Sequence, residues 1–373
     1  MKTLGIGLIG PLPPPHGGMA NQTLQLARLL GEEGVRVEIV QTNSYRPDWI
    51  AGIRGARELA RLFPYLLRLW TTAAKVELFH VMANSGWSWH LRAAPAIWIA
   101  RFRRIPVIVN YRGGGAQEFF AKSFFWLKKT LRLADAIVVP SAFLEEVFKH
   151  YHLPVKIVPN IIDGERFNAV EKKRKGLDRH IIVTRNLEPI YDVATVLRAF
   201  KEVKQKFPRA RLTVAGCGPE RQRLESLAVN LGVSDAICFT GRLDNQKMAE
   251  LYACADLMVN ASLVDNMPIS ILESLASGVP VVTTSVGGIP HLVEHEKTAM
   301  FVPAQDAPAM ARVIVELLAD SDKARKLAEA GLKLAENYSW GNVGPRWLDL
   351  YTELAGRSPR LGEAALSQSG KLQ

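Results

Sequence analysis

The chain has 373 residues, of which 48% are hydrophobic and 22% are charged. This composition excludes disorder as the main state, and at roughly 150 residues per domain the length favours two domains. Three scattered cysteines (Cys217, Cys238 and Cys254) exclude a disulfide framework and a C-x-x-C zinc site, which favours a reducing compartment.

The net formal charge of +11 is unevenly distributed, because residues 46–132 hold 15 basic and 4 acidic residues. Such an excess attracts a polyanion. No nucleic-acid recognition motif accompanies it, so the prediction is an anionic membrane surface and no nucleic acid. Residues 52–70 read as a basic amphipathic helix that Pro64 would kink or split, with one apolar face formed by Leu59, Leu62, Phe63, Leu66 and Trp70. A solvated helix packed on its own domain is the alternative.

The first apolar run favours a β-strand over a signal peptide. It meets Pro11 and then Pro13–Pro15, and no small-residue cleavage site follows. No apolar run approaches the roughly 20 residues that cross a bilayer. The sequence therefore predicts a cytoplasmic protein without a transmembrane anchor.

Strand and helix patterns alternate along the chain. Strands are predicted at 4–10, 35–39, 78–82, 107–110, 136–140 and 156–159, with a helix over 21–33 and further helices between the later strands. After a linker-like stretch at 164–179 the pattern restarts, with strands at 181–184, 212–215, 237–240, 257–260 and 281–283. This alternation predicts two doubly wound α/β domains with parallel sheets, and the polar residues from 357 onward are expected to fray.

Several segments at predicted strand ends are expected to converge on a cleft between the two domains, because open α/β sheets bind ligands there. Gly17 and Gly18 would let amides at a helix N-terminus approach phosphate, although a tight turn explains them equally. Arg185 is suited to a diphosphate through its forked donors, with a surface salt bridge as the alternative. The turn Ala215-Gly-Cys-Gly-Pro219 resembles part of a dinucleotide fingerprint or a simple turn.

Residues 262–273 combine a turn, a helix start and two carboxylates. Pro268 or Ile269 would open the helix, whose free amides can hold a diphosphate without a metal. Asp265 and Glu273 could accept hydrogen bonds from sugar hydroxyls, whereas a helix cap and a surface charge are the alternatives. Residues 278–290 add a buried strand and a Gly-Gly turn near the same position.

Taken in order, these segments resemble glycosyltransferase family 4, a family of retaining enzymes with the GT-B fold. The resemblance extends from Gly10 to about Leu354, and it is most specific between Arg185 and Pro303. The motifs that carry it are Ala-Gly-Cys-Gly-Pro at 215–219, Phe-Thr-Gly-Arg-Leu at 239–243, Leu-Tyr-Ala-Cys-Ala-Asp at 251–256, Glu-Ser-Leu-Ala-Ser-Gly-Val-Pro at 273–280 and Val-Gly-Gly-Ile-Pro at 286–290.

The resemblance implies an acceptor-binding domain at 1–163, a nucleotide-sugar-binding domain at 164–340, a helix at 341–356 that returns to the first domain and a flexible tail at 357–373. It implies that Asp265 touches the donor sugar, Glu273 the ribose and Arg185 the diphosphate. The implied donor-binding residues are Gly17, Gly18, Arg185, Gly216, Asn266, Met267, Pro268, Ile269 and Glu273. The implied catalytic residues are Asp265, Arg185 and Arg112.

The chain departs from the family pattern at several positions. Asp265 replaces a glutamate, Tyr191 stands where the family has its diphosphate lysine, and Asp192 replaces the glycine that follows. Arg112 replaces an N-domain histidine and could clamp a phosphate or a sugar hydroxyl on the acceptor side. His80 matches an earlier histidine of the family on the acceptor side, with a buried structural histidine as the alternative.

The predicted function is that of a retaining hexosyltransferase, which moves a sugar from a nucleotide-diphosphate donor to a hydroxyl acceptor without a metal or other cofactor. The basic N-terminal half suggests a lipid-linked saccharide of surface or exopolysaccharide assembly, and a protein peripheral on the inner face of the membrane. A nucleotide-sugar 2-epimerase of the same fold and a non-catalytic sugar-nucleotide-binding scaffold are the alternatives.

Overall fold

A computed structural model of the protein describes residues 4–14, 17–43, 56–168 and 178–356, with side chains in the second helix described from Leu62 onward. The predicted tail at 357–373 and most of the predicted linker therefore lie outside the described residues. Contacts divide the chain into two compact units. Unit 1 comprises Met1–Ile161 and Val343–Gln373, and unit 2 comprises Ile162–Asn342.

Unit 1 contains one sheet of parallel strands connected by helices. Its strands are β1 (Gly5–Gly10), β2 (Arg36–Gln41), β3 (Leu78–Ala83), β4 (Val107–Tyr111), β5 (Ala136–Val139) and β6 (Lys156–Ile157). The helices between them are α1 (Gly18–Glu32), α2 (Ala56–Ala73), α3 (Ala94–Phe102), α4 (Ala116–Leu131) and α5 (Ala142–His150). The strand order is β2-β1-β3-β4-β5-β6. The chain therefore reverses once, at β2, and from β2 onward it passes along the sheet in one direction.

Unit 2 repeats this architecture. Its strands are β7 (His180–Val183), β8 (Arg211–Ala215), β9 (Ile237–Gly241), β10 (Leu257–Asn260), β11 (Val281–Thr284) and β12 (Met300–Val302), in the order β12-β11-β10-β7-β8-β9. The helices are α6 (Val193–Lys206), α7 (Arg221–Asn230), α8 (Asn245–Cys254), α9 (Ile269–Ala276), α10 (Ala307–Ala319) and α11 (Ser321–Glu336). All strand pairs in this sheet are parallel.

The predicted α/β class with two doubly wound parallel sheets is confirmed, and all eleven predicted strands are present. The sequence missed β12, which has only three residues and too short a pattern to show a period. Central strands are buried on both faces, as in β10, where Leu257 and Val259 belong to one hydrophobic cluster and Met258 to another.

Helix α2 differs from its prediction in two ways. It runs unbroken through Pro64, which lies on the exposed side, where water can replace the hydrogen bond that proline removes. Its buried stripe is formed by Tyr65, Leu69 and Ala73. Phe63 and Trp70 are exposed, although the prediction placed them on one apolar face with Leu62 and Leu66, which are half-buried.

Helix α12 (Trp340–Ala355) starts at the end of unit 2 and belongs to unit 1 from Val343 onward. Trp347 and Tyr351 are fully buried and pack against His80 of β3, with ring centroids 4.6 and 5.9 Å from the imidazole. Within the described ranges, no helix combines the length and the apolar character that crossing a bilayer requires.

His80 is completely buried beneath this helix. Its Nδ1 lies 2.7 Å from the hydroxyl of Tyr351, and its Nε2 lies 3.0 Å from Nδ2 of Asn110. Burial, with a smaller contribution from the charge of Arg112, lowers the pKa of His80 to about 3. The ring is therefore neutral at physiological pH, and both nitrogens are used inside the fold.

We predict that Tyr351→Phe lowers the free energy of unfolding of the protein by about 1–3 kcal/mol, because it leaves Nδ1 of His80 buried without a partner. Thr352→Val, one residue along the same helix, removes an exposed hydroxyl and should change stability by less than about 0.5 kcal/mol. Urea denaturation followed by circular dichroism measures both. Equal stability of the two variants would refute the buried hydrogen bond.

Candidate functional site

The carboxyl ends of the unit 2 strands bring together segments that are distant in sequence. Arg185 follows β7, Gly216 follows β8 and the loop 261–268 follows β10. Because parallel strands end at one edge of the sheet, these segments meet where open α/β sheets bind ligands.

The guanidinium of Arg185 is the cation of this edge. Its Nη2 donates to Oδ2 of Asp265 in an ion pair, and its Nη1 donates to Oγ of Ser270 at 3.3 Å. The two charged side chains are only 11% and 12% exposed. A buried charge is costly unless it is paired, so each of these groups stabilises the other in its position.

Tyr191 covers the flat face of this guanidinium. The ring centroid lies 3.9 Å from Cζ of Arg185, within the range of a cation–π contact. Burial raises the pKa of the Tyr191 hydroxyl, and the nearby Arg185 charge partly opposes that shift. The position at which the resemblance implies a lysine therefore supports the arginine plane and adds no second cation.

The third nitrogen of Arg185, Nε, is buried and has no hydrogen-bond partner among the described residues. An unpaired buried donor costs about 1–3 kcal/mol. A ligand oxygen could satisfy it if the ion pair with Asp265 rearranged.

Asp192, which stands where the resemblance implies a glycine, has a left-handed backbone conformation of the kind that glycine adopts without strain. Its φ of 40° lies in the left-handed region, which short polar side chains tolerate better than most. Its carboxylate accepts a hydrogen bond from the hydroxyl of Thr195 at 2.7 Å at the start of α6. The departure from glycine therefore leaves the turn intact.

The loop that carries Asp265 is held by local hydrogen bonds. Oδ1 of Asp265 accepts from the amide of Asn266 at 2.9 Å, and Oδ2 lies 3.4 Å from the hydroxyl of Ser262. The amide of Gly288 donates to the carbonyl of Asp265 at 2.8 Å. Gly287 has a φ of +54°, and a Cβ on Gly287 or Gly288 would overlap a carbonyl oxygen of this loop. The predicted Gly-Gly turn therefore supports the Asp265 loop directly.

A ladder of buried polar side chains lies at the ends of β10 and β11. The hydroxyl of Ser262 donates to Oδ1 of Asn260 at 2.8 Å, and Nδ2 of Asn260 donates to the hydroxyl of Thr283 at 3.0 Å. Thr284 donates to the carbonyl of Ser262 at 2.6 Å. Buried polar networks fix geometry when every member is paired.

The loop then enters helix α9 through Pro268, which caps it. Asn266 and Met267 are buried, at 6% and 8% exposure. The first amides of α9, including those of Ile269 and Ser270, have no carbonyl acceptor within the helix, because no helical turn precedes them. This end of the helix is therefore favourable for an anion. Asn266, Met267, Pro268 and Ile269 thus lie beside the Arg185–Asp265 pair.

Glu273, one turn into α9, is half-buried and accepts a hydrogen bond from the hydroxyl of Tyr252 at 3.1 Å. That hydroxyl also lies 2.6 Å from the hydroxyl of Thr184 and 3.0 Å from the carbonyl of Ser270. Burial raises the pKa of Glu273 to about 7, although Tyr252 and the charge of Arg185 lower it. Its carboxyl group therefore changes charge near neutral pH.

The glycine turn after β8 packs directly on the backbone around Arg185. A Cβ on Gly216 would overlap the carbonyl oxygen of Arg185 and lie 2.8 Å from its carbon, and one on Gly218 would overlap the carbonyl oxygen of Leu187. The amide of Leu187 donates to the carbonyl of Cys217 at 3.0 Å. Gly216 therefore fixes the backbone that positions Arg185.

The remaining predicted residues belong to unit 1. Gly17 is extended and caps α1, of which Gly18 is the first residue. Arg112 follows β4, where it is half-buried, and burial lowers its pKa to about 10. His80 is not exposed, so it offers no ring nitrogen to a ligand.

Unit 1 also has a cavity of about 750 Å³ at the carboxyl ends of its first three strands. Its lining is mainly apolar and includes Met19, Leu62, Met82, Trp87 and Leu91, with Thr42, Asn43, Ser88 and Arg92 as polar members. A volume of this size suits a small organic ligand.

Sequence reasoning missed Tyr252, Ser262 and Ser270 as members of the unit 2 site. All three lie inside segments that the sequence singled out, but only the fold shows that Tyr252 contacts Glu273, Ser262 contacts Asp265 and Ser270 contacts Arg185. Within the described ranges, no group of three or more His, Cys, Asp or Glu side chains is arranged to hold a metal ion.

Two family descriptions match consecutive parts of the chain. Residues 165–334 match Glycosyl transferases group 1, and residues 16–166 match Glycosyltransferase Family 4. The chain is similar to an uncharacterized glycosyltransferase of Methanocaldococcus jannaschii, with 25% identity over 92% of this chain and 97% of that protein. It is 32% identical to a GDP-mannose-dependent alpha-(1-6)-phosphatidylinositol monomannoside mannosyltransferase of Mycolicibacterium smegmatis, over 58% of each protein.

Solved structures show the same fold. Sucrose-phosphate synthase from Thermosynechococcus elongatus superposes with a TM-score of 0.76 at 20% identity, covering 95% of this chain and 100% of that one. The Anabaena protein HepE, solved with UDP and glucose, gives a TM-score of 0.72 at 17% identity, covering 94% and 99% of the two chains. The architecture is therefore that of the GT-B glycosyltransferases.

We predict that Gly216→Ala lowers the free energy of unfolding of the protein by about 1–3 kcal/mol, because the new methyl group must displace the backbone at Arg185. Gly164→Ala is the matched control in the same unit, since a Cβ there meets nothing within 4 Å. Urea denaturation compares the two. If Gly216→Ala were as stable as the control, the close approach to Arg185 would be wrong.

Proposed function

The chain belongs to glycosyltransferase family 4, and on this basis we propose that it is a retaining hexosyltransferase that uses a nucleoside-diphosphate sugar. The observation that carries the proposal is the group at the unit 2 edge, where Arg185, Asp265 and the first amides of α9 lie together. In this reaction the bond from the anomeric carbon to the diphosphate breaks and the acceptor oxygen takes its place. The departing diphosphate keeps the bonding electrons, and its leaving oxygen takes up the proton that the acceptor hydroxyl releases.

Negative charge accumulates on the diphosphate as it leaves, so the main task of the protein is electrostatic. Arg185 supplies a cation, and Tyr191 and Ser270 hold its guanidinium in position. The N-terminal amides of α9 supply further donors. We propose that these groups act without a metal ion or other cofactor.

Asp265 is proposed to contact the donor sugar. Its carboxylate is fixed by Ser262 and Asn266 and paired with Arg185, so it is held ready to accept hydroxyl hydrogen bonds. Donor binding would transfer Arg185 partly from Asp265 to the diphosphate, which provides the partner that Nε lacks.

Glu273 is proposed to bind the ribose hydroxyls of the donor. An ionised carboxylate can accept from two neighbouring hydroxyls, and charge-assisted hydrogen bonds are stronger than neutral ones. Tyr252 holds one carboxylate oxygen at 3.1 Å and so orients the group.

Unit 1 is proposed to bind the acceptor through Arg112 and the cavity at the ends of its first strands. The basic residues of 46–132 and the apolar cavity lining support a lipid-linked saccharide of surface or exopolysaccharide assembly as acceptor. The mycolicibacterial relative is named as a phosphatidylinositol monomannoside mannosyltransferase. With such an acceptor, the protein works as a peripheral protein on the cytoplasmic face of a membrane.

The two alternatives have less support. The relatives reported above are named as transferases, which favours transfer over 2-epimerisation. A non-catalytic scaffold would have no need for a carboxylate and an arginine held as a buried pair beside a free helix terminus.

The direct test measures thermal stabilisation by UDP, GDP and ADP and by their common sugar conjugates. We expect one nucleotide base to raise the unfolding temperature selectively. Arg185→Ala should weaken that binding by about tenfold to a hundredfold, because hydrogen bonds to charged groups are worth about 1.5–3 kcal/mol. Arg211→Ala, at the exposed start of β8 on the opposite edge of the sheet, is the control.

Stabilisation without sugar transfer to any acceptor would favour the scaffold, and release of an epimerised sugar would favour the epimerase.

The affinity for the nucleotide sugar should depend on pH through Glu273. With a pKa of about 7, its carboxyl group is mostly protonated at pH 6 and mostly ionised at pH 8. If the ionised form binds the ribose, the dissociation constant should be about tenfold higher at pH 6 than at pH 8. The intact nucleotide sugar is the appropriate probe, since its phosphates do not titrate in this range.

Calorimetry of wild type and Glu273→Gln between pH 6 and 8 makes this measurement. The glutamine keeps an acceptor for Tyr252 but cannot ionise, so its affinity should be independent of pH. An equal pH dependence in both proteins would exclude Glu273 as the titrating group.

A further inference from the structure

Exposed aromatic side chains are concentrated in one part of unit 1. Among the described residues, the exposed phenylalanines and tryptophans all fall between positions 63 and 126: Phe63, Trp70, Trp87, Trp98, Phe102, Phe125 and Trp126. Scattered exposed apolar residues are normal, but a concentration of this kind marks an interaction site.

Helices α2, α3 and α4 carry six of these seven side chains on one side of the sheet. The strands that they connect follow one another in a single direction, and right-handed crossovers then place all three helices on the same face. Their inner sides share one hydrophobic cluster, which contains Leu69, Ile97 and Phe120. Their outer sides therefore face away from the core together.

Helix α2 has a second apolar stripe opposite its buried one. Phe63, Leu67 and Trp70 recur at helical spacing and are 72%, 54% and 39% exposed. The ring of Trp70 lies 5.3 Å from that of Phe102, which joins this stripe to α3. The exposed apolar residues of the two helices thus form one continuous area.

Basic side chains lie directly against these aromatic rings. The guanidinium of Arg103 lies 4.7 Å from the Trp70 ring, and the ammonium of Lys129 lies 4.7 Å from Phe125 and 5.5 Å from Trp126. Residues 62–135 carry eleven Lys and Arg against three Asp and Glu. Of those acids, Glu77 is buried and Asp135 lies 3.9 Å from Arg101. The area is therefore both apolar and strongly cationic.

We propose that the outer sides of α2, α3 and α4 dock unit 1 on an anionic phospholipid bilayer. This aromatic–basic surface is defined by Phe63, Leu67, Trp70, Trp98, Phe102, Phe125 and Trp126, with Arg101, Arg103, Arg104 and Lys129 among them. The connection of this surface to a lipid-linked acceptor rests on the proposed function. The surface itself can be tested without turnover.

The chemistry of the surface favours a bilayer over other polyanions. Tryptophan and phenylalanine enter the boundary between headgroups and acyl chains, and Leu67 adds an aliphatic side chain that has no role in base stacking. Each Lys or Arg near an anionic membrane adds attraction that falls with ionic strength. Charge complementarity therefore selects anionic over zwitterionic lipid.

Sedimentation of the full chain with vesicles tests the proposal. Vesicles of phosphatidylcholine with 40% phosphatidylglycerol, a composition chosen as roughly that of an anionic membrane, are compared with pure phosphatidylcholine at low and high salt. We expect binding to the anionic vesicles that declines with salt. The triple variant Phe63→Ser/Trp98→Ser/Phe102→Ser should bind about tenfold more weakly or worse. The variant Arg101→Gln/Arg104→Gln/Lys129→Gln should lose the preference for anionic lipid.

The matched control is the double variant Leu24→Ser/Arg28→Gln. Both residues are exposed on α1 of the same unit, but α1 connects β1 to β2 in the opposite direction along the sheet, so a right-handed crossover places it on the other face. The double variant should bind vesicles like wild type. Equal binding by the aromatic triple variant, or no binding of wild type at low salt, overturns the proposal. The proposal is also overturned if the aromatic triple variant binds vesicles like wild type but has lost dimerisation, measured by light scattering, or oligonucleotide binding, measured by anisotropy. Stabilisation by nucleotide, measured on the same samples, separates this result from the proposed function, because either can fail alone.

Discussion

Two close backbone contacts, each possible because glycine has no side chain, hold the carboxyl edge of unit 2 in its observed form. Gly216 lies against the backbone of Arg185, and Gly288 lies against that of Asn266, next to Asp265. These contacts fix the two loops from which the arginine and the aspartate project. The ion pair between the side chains, and with it the placement of α9, depends on this backbone arrangement.

The two carboxyl groups at this edge have different surroundings. Asp265 has a cationic partner and two local hydrogen-bond donors. Glu273 has the neutral hydroxyl of Tyr252 as its hydrogen-bond donor, and burial therefore raises its pKa. Two acidic groups on one short segment are thus suited to different tasks: Asp265 is paired with the Arg185 cation, and the charge of Glu273 changes near neutral pH.

Unit 1 uses its polar and aromatic residues in two separate ways. Inside, His80 is neutral and pairs with Tyr351, which fastens α12 to the first sheet. Outside, the aromatic–basic surface has no counterpart in unit 2, where the exposed large hydrophobic residues described are Ile190, Val229 and Val264. In the described part of the basic region, residues 62–135, the excess of positive charge lies on and beside α2, α3 and α4.

The sequence alone was sufficient to predict the fold class, eleven of the twelve strands that the described residues form, and the segments of the unit 2 edge. Buried strands and amphipathic helices leave periodic patterns, and parallel strands must end at a common edge. It did not determine that Tyr191 lies on the Arg185 plane, that Tyr252 reaches Glu273 or that His80 is used internally, because these contacts join residues far apart in the chain. Nor did it show which side of α2 faces the core. That helix is apolar on two sides, so packing against the sheet, and not periodicity, decided which stripe became buried and which became surface.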